Sequence, residues 1–196
     1  MTDTIRSFIA IELEEEHRRA LSDLQARFQR DRAASFVRWV AAESIHLTLK
    51  FLGDVDATAM PALQRTVADA CAGIAPFTLS LNGAGAFPNT RRPNVIWVGM
   101  GGQVECTALL AQRLDDACAA MGMARDDRPF SPHLTLGRVK REAKLEERQL
   151  VGRLIDLAAV GELGWLNVSR VSMMKSELRR SGSIYTRLAA VELLRE

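Results

Sequence analysis

The chain has 196 residues, of which 47% are apolar and 26% charged, with a formal net charge of +2. This is the composition of an ordinary soluble globular protein, long enough to bury a core without disulfide or metal staples. So small a net charge does not argue for a nucleic-acid partner, and any basic surface has to be local.

In chain order, Ile5–Leu13 reads as a strand. Its apolar run is short and soon meets glutamates, which fits neither a signal peptide nor a membrane span. The spacing of Leu21, Leu24 and Phe28 predicts a helix over Glu14–Arg32, with acid at its start to suit the macrodipole. His17, amid charges on that helix, is expected at the solvent face. Phe36–Val40 and Ile45–Leu52 are predicted strands, the second ended by Gly53-Asp54. Ala59–Cys71 is a predicted helix with Pro61 in its first turn. Phe77–Ala86 and Asn94–Met100 are predicted strands joined by the polar loop FPNTRRP. Gly101-Gly102 breaks the chain. A third helix, Val104–Met121, carries an apolar stripe ending at Cys118 and Met121. After a loop at Ala124–Pro129 come a strand, Ser131–Val139, and a charged helix, Lys144–Leu157. Trp165–Leu178 and Ser183–Leu193 read as a closing hairpin. Cys71, Cys106 and Cys118 fit no zinc or redox spacing and are expected to be core thiols of a reducing compartment. No Gly-rich phosphate loop follows a strand.

The most informative feature is a repeated phrase. His-Leu-Thr-Leu occurs at His46–Leu49 and again at His133–Leu136, using two of the three histidines in the chain. On a strand, residues i and i+2 share a face, so His46 and Thr48 point one way and Leu47 and Leu49 the other. The same holds for His133 and Thr135. A polar group left without partners in an apolar strand costs about 1–3 kcal/mol. Two such pairs in one register therefore predict a shared site. Threonine is a poor metal ligand and neither phrase has acids or cysteines at ligand spacing, so no metal is expected. A Ser/His/Asp triad would leave the second phrase unexplained. Two imidazoles of ordinary pKa near ~6.5 suit acid–base work on a phosphodiester, one neutral and one protonated. The hydroxyls of Thr48 and Thr135 suit its non-bridging oxygens. Arg138 offers a planar fork for phosphate. Strict alternation from His133 turns Arg138 away unless the strand bulges or ends at Gly137.

The blocks RSFIAIEL, WVAAESIHLTLKFLG, FPNTRRPNVIWVG, PFSPHLTLGRV and SELRRSGSIYTRL together resemble the RNA 2',3'-cyclic phosphodiesterases, also called 2'-5' RNA ligases, of the 2H phosphoesterase superfamily. The resemblance spans almost the whole chain. It departs from the usual pattern at Ser44, where asparagine is common, and at Gly137, where alanine is. It implies an α+β fold: a single bilobal domain over 1–196, with duplicated antiparallel sheets related by a pseudo-twofold axis, outer helices and a central cleft. It also implies hydrolysis of RNA 2',3'-cyclic phosphate ends to 2'-phosphates, without a cofactor. His46 would be the proton donor to the 3' oxygen and His133 the base. Thr48, Thr135 and Arg138 would hold the phosphate. Alternatives are a reversible 2'-5' ligase at the same site, a phosphodiesterase for small nucleotides, or an idle RNA-end-binding module. RNA contacts are expected among Lys50, Arg91, Arg92, Lys140, Arg141, Arg179 and Arg180. Phe8, Phe51 and Tyr185 are candidate stacking faces, with core packing favoured for the two phenylalanines. A cytoplasmic monomer away from membranes is the expected setting.

Overall fold

The computed structural model describes residues 3–179 and 182–194. Arg180, among the basic candidates, lies outside them. The strands are β1 (Thr4–Glu12), β2 (Val37–Trp39), β3 (His46–Asp56), β4 (Phe77–Phe87), β5 (Val95–Gly102), β6 (His133–Val139), β7 (Glu162–Val168), β8 (Arg170–Arg179) and β9 (Gly182–Glu192). The helices are α1 (Glu15–Phe28), α2 (Met60–Cys71), α3 (Val104–Ala120) and α4 (Leu145–Leu157). All pairings are antiparallel, in the order β7-β4-β5-β6-β3-β1-β8-β9, with β2 on β6. The order has a twofold character. β6 with β5, β4 and β7 mirrors β3 with β1, β8 and β9. The halves meet at the phrase strands, which pair only through Leu47 and Leu134.

The two sheet faces differ. Leu47, Leu49, Leu134 and Leu136 join Ile9, Ile11, Leu79 and Leu110 in one large buried cluster under the helices. α2 and α3 pack on each other and against β9 and β3, while α1 packs on β7 and α4 on β4. Among the described residues, the opposite, concave face carries a small buried cluster, Phe8, Ala10 and Met174, with Tyr185 against it. Hydrophobic burial thus fixes which face stays open.

Several boundaries differ from the sequence reading for local reasons. α1 stops at Phe28 because Asp31 starts a new turn, its carboxylate accepting from Ala33 N at 2.8 Å. β3 runs on through Gly53, whose φ of +71° suits a bulge that other residues resist. Trp165–Leu178 is two strands. β7 pairs with β4 in one half and β8 with β1 and β9 in the other, so the chain changes halves at Ser169. His17 is 1% exposed, its Nε2 at 3.1 Å from the Trp165 carbonyl. α1 turns this ring toward β7 instead of toward water. All three cysteines are free; Cys71 and Cys118 are buried, while Cys106 is only half-buried. Among the described residues, no helix is long and apolar enough to cross a membrane.

Candidate active site

The phrase strands put His46 and Thr48 beside His133 and Thr135 on the concave face, all four half-buried. Each imidazole is fixed in the same way. His46 Nδ1 donates to the Ser44 carbonyl at 2.9 Å, and His133 Nδ1 to the Ser131 carbonyl at 2.7 Å. A carbonyl only accepts, so Nδ1 carries the hydrogen and Nε2 is left for proton exchange in both rings. The partner is main chain in both cases, so the bond to His46 does not depend on which side chain stands at position 44.

Aromatic rings complete each wall. Phe8 stacks on His46 with centroids 4.6 Å apart, and Tyr185 meets it edge-on at 5.0 Å. Phe87 meets His133 edge-on at 4.8 Å. Burial lowers the pKa of both imidazoles below the ordinary value, partly offset by the carbonyl hydrogen bonds. The neighbouring charges differ in sign. Glu12 favours the protonated form of His46, whereas Arg138 disfavours that of His133.

Arg138 reaches this face through a bulge. Thr135 pairs with Trp97 and Gly137 with Ile96, so Leu136 is an additional residue in β6. Leu136 and Gly137 are consecutively buried, and alternation resumes with Arg138 exposed on the side of His133. Gln25 of α1 donates to the Leu136 carbonyl at 2.9 Å, satisfying the displaced backbone. Glycine suits position 137, because a Cβ there would lie 2.7 Å from Val37 Cγ1 of β2. β3 makes the same slip: Thr48 pairs with Ala10 and Lys50 with Ile9, leaving Leu49 extra. The bulge turns Lys50 into the interior and Phe51 onto the concave face. Phe51 is 65% exposed and occupies the place in its half that Arg138 holds in the other.

Two expectations are corrected by this slip. Phe51 is not a core residue. Lys50 is not available to a nucleic acid: it is 1% exposed, with Nζ 2.6 Å from Asp115 and 3.3 Å from Asp126. Arg91, Arg92, Lys140, Arg141 and Arg179 are exposed. Arg91 and Arg92 sit in a loop ordered by Asn89, whose Oδ1 accepts both their backbone N–H groups. Sequence reasoning missed Glu12 and Phe87. Glu12 is cross-strand from His46 only in the folded register, and Phe87, the first residue of the predicted loop FPNTRRP, is the last residue of β4.

Two imidazoles, two hydroxyls and a guanidinium on one face are groups able to exchange protons and to donate hydrogen bonds to the oxygens of a phosphate. No cluster of metal-ligating side chains is found at these residues. Among the described residues one set of metal-capable side chains, Glu14, Glu16 and His17, lies at the start of α1.

Comparison with known proteins identifies the family of the chain. The profile of the family described as LigT like Phosphoesterase matches residues 11–97 and 104–185. The chain is 36% identical over 190 residues to the RNA 2',3'-cyclic phosphodiesterase of Methanothermobacter thermautotrophicus, covering 96% of this chain and 99% of that one. It is 36% identical over 143 residues to the protein of that name from Escherichia coli strain K12, covering 73% and 77%. The crystal structure of E. coli LigT complexed with 3'-AMP superposes with a TM-score of 0.78 at 28% identity, covering 98% of this chain and all of that one.

Proposed function

We propose that this chain, which belongs to the LigT-like phosphoesterase family, is a hydrolase that opens RNA 2',3'-cyclic phosphates to 2'-phosphomonoesters. The observation that carries the reading is the pair of imidazoles held in one tautomer on one open face, both with Nε2 unengaged by main chain.

His133 is the general base. Its neutral Nε2 takes a proton from water as the water oxygen bonds to phosphorus. His46 is the general acid. As the bond from phosphorus to the 3' oxygen breaks, protonated His46 gives its proton to that oxygen. The product keeps the phosphate on the 2' oxygen, and the two rings exchange protons with solvent to reset. Arg138 supports this order of roles, because a cation beside His133 keeps that ring neutral. Thr48, Thr135 and Arg138 donate to the non-bridging oxygens, where negative charge grows as phosphorus becomes five-coordinate. Phe51, facing the same surface, gives a face on which a base of the RNA stacks. The exposed arginines of the loop after β4 extend the surface toward further phosphates. The chain acts as a cytoplasmic monomer, a setting its three free thiols fit.

The test is turnover of an oligonucleotide ending in a 2',3'-cyclic phosphate, in excess EDTA. The expected product is the 2'-phosphomonoester. Loss of turnover in chelator, or a 3'-phosphate product, would contradict the reading. The pH dependence is also set. The reaction needs one ring charged and one neutral, so kcat/KM is bell-shaped. Because both pKa values lie below the ordinary one, each ring holds its proton only in more acid solution. The maximum should therefore fall on the acid side of pH ~6.5, the ordinary imidazole value. A flat profile between pH 5 and 8 would argue against two titrating imidazoles.

A further inference from the structure

Two imidazoles on a near-symmetric scaffold pose a problem that the scaffold itself cannot solve. A single proton shared between them has two placements, and only one is productive. Something outside the repeated phrase has to break the tie.

Glu12 stands where such a group is needed. It ends β1 directly opposite His46 in the antiparallel ladder, and residues paired in this way project to the same face. The carboxylate is not free to swing off. Its Oε2 accepts from Ser172 Oγ at 2.6 Å and from Arg187 Nε at 2.7 Å, contributed by β8 and β9. The side chain is 18% exposed. The half around His133 carries a cation, Arg138, in the corresponding electrostatic role. The other charges in this network are Arg170 on β8, which acts on Glu12, and Glu192 on β9, which acts on Arg187. Tyr185 of β9 meets the imidazole as a ring edge and brings no charge.

We propose that Glu12, clamped by Ser172 and Arg187, is the positioning residue that makes His46 and not His133 the proton donor. The proposal rests on the reading of His46 as general acid. A fixed anion beside His46 favours the microstate with the proton there, and Arg138 disfavours the opposite one. Burial works against the ionised carboxylate, but the two hydrogen bonds together with the charges of Arg187 and Arg170 outweigh it and hold Glu12 below its usual range, so it is charged wherever the histidines titrate. The clamp also limits the effect. Arg187 cancels part of the field that reaches His46, so removing either partner shifts the imidazole in opposite directions.

That sign reversal is the test. The imidazoles of His46 and His133 are titrated by NMR in the whole protein, in Glu12→Gln and in Arg187→Met, with kcat/KM profiles measured beside them. Glutamine keeps an oxygen to accept from Ser172 and Arg187, so the fold is expected to hold. The His46 midpoint should move to lower pH in Glu12→Gln and to higher pH in Arg187→Met. The alkaline limb of kcat/KM should follow His46 in both variants, and the maximum should fall in Glu12→Gln. A residue with a merely structural role would lower the curve without moving that limb. A His46 midpoint unmoved in both variants overturns the role of Glu12 and leaves the two-histidine reading standing. A midpoint that moves while the alkaline limb stays fixed overturns both, since His46 would then not be the donor.

Discussion

Replacing His133 by alanine should lower kcat on a 2',3'-cyclic phosphate by roughly 10²–10⁴-fold, the usual contribution of one positioned acid or base. His46→Ala should cost a similar factor. The two losses have the same size because the rings do matching work on either side of phosphorus, one making the nucleophile and the other the leaving group. They should not multiply. Once one ring is gone the concerted transfer is broken, so the double variant should sit close to the worse single one. Neither ring fills the large cluster beneath the helices, so both variants should melt as cooperatively as the parent. Measuring kcat for the three variants checks the claim. Near-parental turnover in either single variant would show that only one histidine matters.

Arg138→Met should be the next most damaging change, at about 10²–10³-fold in kcat, by analogy with loss of one preorganised donor to a growing oxyanion. Arg138→Lys should recover only part of that, because an ammonium does not reproduce the planar fork. Phe51→Ala provides a contrast at the symmetry-related position. It removes a stacking face worth about 1–3 kcal/mol per base, so it should raise KM while leaving kcat nearly unchanged. If Arg138→Met acted only on KM, or Phe51→Ala mainly on kcat, the two halves of the cleft would have been assigned the wrong tasks.

The repeated phrase made the paired histidines of the candidate site legible because it is local. Period-two alternation correctly separated His46 and Thr48 from Leu47 and Leu49, and the helices and most strands followed from apolar spacing. What stayed hidden was set by register and by distant partners. A strand carrying one additional residue looks regular in sequence, so alternation alone could not tell that Arg138 and Phe51 rejoin the open face beyond Leu136 and Leu49. Lys50 looked like a surface cation because its carboxylates lie far along the chain in and beyond α3. His17 looked exposed because its partner, the Trp165 carbonyl, belongs to β7. The break between β7 and β8 was invisible because only Ser169 separates the two strands. Glu12 gave no local signal, because its bond to Arg187 closes a gap of 175 positions.

A crystal structure of this protein with a nucleoside 2'-phosphate bound tests the central claim most directly. Both Nε2 atoms should lie within hydrogen-bond reach of that one phosphoryl group and its adjacent 3' hydroxyl, with His46 on the 3' hydroxyl and His133 on the opposite side. A phosphate seated against one ring while the other faces empty solvent would contradict the account.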